Sequence, residues 1–178
     1  MEYKQSMNLV SPSGYAMPFE LSETTPLEIT LGYGKQTHPV TGKEFFHHGV
    51  DFKVYPHTWL KALATGVVSG IASDREKGFN ITVNYRNYAA GSSAVYDVVY
   101  SHIKESICNF GKSVNAGDNI AVCDDTLHIE VRFNGDEIDP IEFLTMVRDN
   151  LIVYEQKTIQ GNNPEIATLD FKVETPYD

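Results

Sequence analysis

Only two cysteines, Cys108 and Cys123, occur in the 178 residues, and they form no CxxC pair. A disulfide framework and a metal site closed by thiolates are both excluded on that count. Two buried thiols are the expectation, with a single Cys108–Cys123 bridge as the alternative. Long apolar runs are missing as well: none approaches the ~20 residues that span a bilayer as a helix. Met1 to Met17 lacks the charged-then-apolar order of a signal peptide, so either the protein works without that export route or the chain begins after a removed segment. Basic residues are scarce, 14 Lys and Arg against 24 Asp and Glu, for a formal net charge of −10. That balance disfavours non-specific binding to nucleic acid or anionic lipid and tolerates a metal or cationic ligand. Helical periodicity is nearly absent before residue 140.

Short alternating segments are present instead. Pro26 to Leu31 alternates and ends at Gly32-Tyr33-Gly34, and His38 to Gly42 gives a second turn. Gly66-Val67-Val68-Ser69-Gly70 is a small-residue strand with close backbone approach. Phe79–Tyr85, Ala94–Ile103, Asn119–Cys123 and Thr126–Phe133 read as further strands, and Asn134-Gly135 is a strong hairpin signal. The pattern defines an all-β domain of antiparallel strands. After Pro140, apolar residues at 141, 143, 144, 147 and 151 predict one C-terminal helix. The chain divides into an irregular lead-in (1–24), a β domain (25–144) and a C-terminal helix with an edge strand at Leu169–Val173 (145–178). A chain of this length buries roughly 70% of the surface it would expose unfolded.

The chemistry is concentrated in Phe46-His47-His48-Gly49-Val50-Asp51-Phe52. On a regular strand His47 and Asp51 face the same side, but about 13 Å of extended chain separates them. Both reach one ion only if the chain bends, and Gly49 permits the bend; otherwise this is an exposed polar loop. In Thr126-Leu127-His128-Ile129-Glu130, alternation puts Thr126, His128 and Glu130 on one face. His128 then supplies a third ligand. Two His and one Asp with a position left for water is the donor set of a catalytic zinc site. Glu130 is placed to anchor a ligand from behind, or is a plain solvated carboxylate. His48 faces away and reads as a surface residue, while His38 and His57 read as turn and loop residues.

With these residues in view, the chain resembles the lysostaphin- and LytM-type zinc metallopeptidases that cut peptide cross-bridges in bacterial cell walls. The likeness runs from about Ile29 to Leu144. It includes Gly32-Tyr33-Gly34, His38–Gly42, the H-x-G-x-D of His47, Gly49 and Asp51, Gly66-Val67-Val68, Tyr100-Ser101-His102-Ile103, Gly117-Asp118, Leu127–Arg132 and Asp139-Pro140. The resemblance implies a barrel-sandwich hybrid of antiparallel sheets and Zn2+ held by His47, Asp51 and His128. It also implies a catalytic His102 that orients water or stabilises the transition state, and peptidoglycan peptides as substrate. A cell-wall enzyme without a visible leader implies an extracytoplasmic, phage or mobile-element setting. One position departs. The family's closing motif is H-x-H, and its first His, a base or transition-state stabiliser, is Thr126 here. A threonine hydroxyl has no basic form near neutral pH. The loop before this motif is also shortened to Val122–Asp125, where Asp124 or Asp125 would have to fold inward to replace the lost base.

Three functions follow. One is a zinc endopeptidase. Another is a catalytically impaired relative that binds cell wall or regulates a partner, with the C-terminal extension as the surface for that partner. The third is a phosphocarrier domain with a phosphorylated His, against which the H-x-G-x-D spacing argues.

Overall fold

The computed structural model of the chain describes residues 7–21, 27–75 and 78–159. Eleven strands and one helix follow in order among them. The strands are β1 (Glu28–Leu31), β2 (Gly34–Thr37), β3 (Glu44–His47), β4 (Val50–Lys53), β5 (Trp59–Lys61), β6 (Gly66–Asp74), β7 (Gly78–Arg86), β8 (Val95–Ser106), β9 (Ser113–Val114), β10 (Asn119–Phe133) and β11 (Asp136–Ile138); helix α1 is Pro140–Ile159. Nine strands form one sheet in the order β1-β4-β10-β8-β7-β6-β9, with β5 and β11 also on β10, while β2 and β3 make a separate hairpin. Every pairing is antiparallel.

Alternation decides which face is buried. Val50 and Phe52 on β4, Leu127, Ile129 and Val131 on β10, Tyr96, Val98 and Tyr100 on β8, and Ile81, Val83 and Tyr85 on β7 are fully buried. Two elements contribute to the core beside them. Phe143 of α1 lies against Tyr96 with ring centroids 5.0 Å apart, and Phe19 of the N-terminal segment against Phe52 at 6.3 Å. Residues 7–21 hold no strand or helix, yet Leu9 and Phe19 sit in the same core. The hydroxyls of Tyr85 and Tyr100 hydrogen-bond each other at 2.7 Å in the core, and the Leu63 amide donates to Tyr85. That pairing removes the cost of burying them. Burial pushes the Tyr96 phenol up to about 12.

Several expectations need correction. Asn119–Cys123 and Thr126–Phe133 are one 15-residue strand, not two. The segment Val122–Asp125 is therefore not a loop: it stays in the ladder because the Cys123 amide donates to Thr58 and the Asp125 carbonyl accepts from Val54. The segment Gly34–Thr37, unassigned in the sequence, pairs with Glu44–His47, closing on a turn in which His38 Nδ1 accepts from the Val40 and Thr41 amides. The helix is continuous through residue 144, and the core takes Phe143, Leu144 and Val147 from it. The hairpin at Asn134-Gly135 forms with φ of 51° and 89°, the left-handed pair that a two-residue turn requires. The expected edge strand at Leu169–Val173 lies outside the described residues.

Both cysteines are free and buried. Burial pushes the Cys123 thiol up to about 11, and raises Cys108 as well. A thiol reagent at pH 8 should therefore react slowly with the folded protein and release two equivalents once guanidinium is added. Rapid native labelling, or no thiol in denaturant, would contradict this arrangement.

Candidate metal centre

The polar face of the sheet carries the site. Antiparallel pairing sets Asp51 directly opposite His128, and His128 directly opposite Ser101 on β8. Directly paired residues share a face, so Asp51, His128 and Ser101 lie in one row across three strands. His47 joins the row from β3, after the chain bends at residues 48–49. Gly49 is required there for space. A Cβ at this position would overlap the Ile129 carbonyl and come within 2.7 Å of His128 Cε1.

The donor atoms of His47, Asp51 and His128 all lie within 4.8 Å of one another. His47 Nε2 is 3.5 Å from Asp51 Oδ1, and His128 Nδ1 is 2.5 Å from the same oxygen. The remaining ring nitrogens are fixed from behind. His47 Nδ1 donates to the Gly32 carbonyl at 2.8 Å, which turns Nε2 toward Asp51. His128 Nε2 donates to Glu130 Oε2 at 2.9 Å. Glu130 is 2% exposed and is also approached by Arg132 Nη2 at 3.5 Å, so the solvated alternative for this carboxylate does not hold.

The electrostatics follow from that packing. Burial alone would raise the Asp51 carboxyl, but hydrogen bonds from His128 and His47 and their charges hold it well below the usual range. Burial alone would lower His128; its hydrogen bonds to Asp51 and Glu130 overcome this and hold the imidazole at about 9. Two imidazoles, each with its other ring nitrogen engaged, and a carboxylate match a zinc donor set with one position open to water.

His102 lies beside this row. Its ring centroid is 5.9 Å from that of His128, in an edge-on arrangement. The backbone explains how it gets there: His102 has φ 64°, and the β8 register with both neighbours shifts at this residue. A left-handed non-glycine residue costs about 1–3 kcal/mol and persists where surrounding structure enforces it. Thr126 is half-buried, one ladder step beyond His128 and paired with Lys53. Asp124 and Asp125 are exposed, and among the described residues neither side chain bonds to the trio. His48 turns away, its Nδ1 3.0 Å from both oxygens of Glu137, which also accepts from the Tyr33 hydroxyl. His57 occupies an exposed turn.

Sequence reasoning missed two members of this site. The Gly32 carbonyl is backbone and carries no signature. Ser101, whose buried hydroxyl has no partner among the described residues, was visible only as part of a strand.

With the geometry in place, comparison with known proteins is informative. Residues 45–140 match peptidase family M23, and the chain belongs to that family, one of metallopeptidases. An uncharacterized metalloprotease from Haemophilus influenzae is 32% identical over 117 residues, covering 58% of this chain and 22% of that protein. Among solved structures, a zinc-containing peptidase from Vibrio cholerae is similar with a TM-score of 0.55 and 22% identity, over 71% of this chain and 39% of that one. The catalytic domain of lysostaphin from Staphylococcus simulans gives a TM-score of 0.54 and 22% identity, over 67% of this chain and 92% of that domain. The chain thus spans about a fifth and two fifths of the first two relatives. These likenesses establish a lysostaphin-like antiparallel fold. The family implies a metal, typically zinc, and the donor set above suits one.

Two outcomes test the centre. Gly49→Ala should destabilise the fold by about 1–3 kcal/mol in urea, because overpacked groups must shift, and should lower bound zinc. Glu130→Gln should leave the fold intact and weaken zinc about 10- to 100-fold, measured by competition with a chelating dye. Unchanged affinity in the second variant would remove Glu130 from the site.

Proposed function

We propose that this domain is a zinc-dependent endopeptidase that hydrolyses peptide cross-bridges of peptidoglycan, with His47, Asp51 and His128 as the metal ligands. The observation that supports it most is the convergence of those three donors on the polar face, with both imidazoles fixed from behind and His102 adjacent. A scaffold without turnover has no need of that arrangement. Those three residues would hold zinc, which when bound would supply an acidified water with a pKa of about 7 and a Lewis acid for a carbonyl. The chain does the rest. Gly32 and Glu130 hold the two imidazoles in the tautomers that leave one nitrogen each for the ion. His102 orients the water or holds charge that develops on the substrate.

Thr126 supports a second reading, a catalytically impaired member that binds cell wall or regulates a partner. With His102 as the one neighbouring imidazole, loss of the second base costs on the order of 10²- to 10⁴-fold in rate. A partner surface on the C-terminal extension belongs to this reading, and residues 160–178 lie outside the described structure. No helix among the described residues is long and apolar enough to cross a membrane. Membership of the peptidase family sets the phosphocarrier alternative aside.

Release of soluble fragments from purified peptidoglycan separates the two. The zinc-loaded protein should release them, and His128→Ala should abolish release together with stoichiometric zinc. A silent parent that becomes active as Thr126→His, with zinc content unchanged, would establish the impaired reading instead.

A further inference from the structure

We propose that Lys53 and Thr126 form an anion subsite beside the trio, an ammonium and a hydroxyl paired across two strands that hold a negatively charged oxygen of the bound ligand. The ligand's identity rests on the endopeptidase reading; the subsite rests on register. On β4, Val50 and Phe52 are fully buried, so Asp51 and Lys53 share the opposite face. On β10, Leu127 and Ile129 are fully buried, so Thr126 and His128 share it too. The pair Asp51↔His128 is in direct contact, and the next pair on this face is Lys53↔Thr126. Opposed side chains have Cβ atoms about 5 Å apart. Neighbours on one face of a strand stand about 7 Å apart, a span that a lysine's four-carbon stem covers.

Chemistry narrows what the pair can do. Lys53 is exposed and takes part in none of the ion pairs of the described residues. Its neighbour across β1, Glu28, is exposed on the far side from Thr126, and the two make no ion pair. An ammonium cannot serve as a base near neutral pH, so Lys53 does not take over proton abstraction. It supplies positive charge beside the trio at the position where Thr126, short and neutral, leaves room. The Thr126 hydroxyl donates one hydrogen bond to the same oxygen. This replaces the charge-holding part of the missing imidazole's work and leaves the proton-moving part to His102.

The negative oxygen has two sources with the same chemistry. One is the carbonyl oxygen of the scissile amide as charge develops on it; the other is a carboxylate already present on the substrate peptide.

The test uses the full chain and inorganic phosphate as probe, titrated calorimetrically into parent, Lys53→Met, Lys53→Arg and Lys112→Met, with zinc content read on each sample. Lys112 is also exposed and controls for net charge. Lys53→Met should bind phosphate roughly tenfold more weakly, Lys53→Arg within about threefold of the parent, and Lys112→Met as the parent does. No phosphate binding by the parent, unchanged affinity in Lys53→Met, or an equal loss in Lys112→Met would overturn the subsite. Because binding is read without turnover, a protein that cleaves nothing still decides the question. Low zinc in the parent would count against the metal reading alone. Where cleavage is measurable, a fall in kcat at constant KM for Lys53→Met identifies the developing carbonyl charge. A rise in KM at constant kcat identifies a substrate carboxylate.

Discussion

The antiparallel register between β4 and β10 is the constraint on which the site depends. It pairs Val50 with Ile129 and Phe52 with Leu127 on the buried face, and the same register pairs Asp51 with His128 on the polar face. Side-chain direction in a strand has a period of two, so a slip of one residue would place Asp51 in the core and Phe52 in the site. Full burial of a large apolar side chain contributes about 1.5–3 kcal/mol. Four such residues together outweigh the about 1–3 kcal/mol of backbone strain at a residue such as His102. Apolar packing therefore sets the position of Asp51 and His128, and these two need not hold the fold.

The approach of β3 to that pair depends on a smaller feature. His47 arrives from a hairpin outside the main sheet, and the bend that brings it in passes directly over His128. A side chain at position 49 would occupy the space of the His128 ring. The hairpin is also tied down behind the site, where Glu137 of β11 takes hydrogen bonds from Tyr33 and His48. Tyr33 and Phe46 pack edge to face at 5.4 Å on the same hairpin. His48 thus has a structural task close to His47 and Asp51 without joining the proposed ligand set.

How much of this was legible follows from which signals are local. Alternation placed His128 and Glu130 on one face and Leu127, Ile129 and Val131 on the other, and the distance between His47 and Asp51 demanded the bend at Gly49. Asn134-Gly135 declared its turn, and Pro140 the start of the helix. What stayed hidden depends on distant backbone. Two adjacent aspartates at 124 and 125 read as a break between strands, because a carboxylate run disfavours a strand in isolation. The Thr58 carbonyl and the Val54 amide carry the ladder through that point. The left-handed conformation of His102 arises from a register shift shared with two neighbouring strands, and no spacing within Tyr100–Ile103 announces it.

Charge at the site explains why Thr126 matters beyond the loss of a base. As carboxylates, Asp51 and Glu130 would each bring one negative charge, and both contact imidazoles of β3 or β10. Their sum equals the charge of one divalent zinc ion with opposite sign. Once loaded, such a centre is close to neutral, apart from Arg132 at the outer edge of Glu130. A neutral centre polarises a carbonyl at contact but does little to gather negative charge a few ångströms away, where attraction between ions falls off with distance and solvent screening. In a site with a second imidazole at position 126, a protonated ring would cover that gap. With threonine there, the proposed Lys53 subsite would cover that gap from β4, and His102 lies on the β8 side. These two side chains, on β8 and β4, stand on opposite sides of β10, so whatever ligand lies over His128 is placed between them.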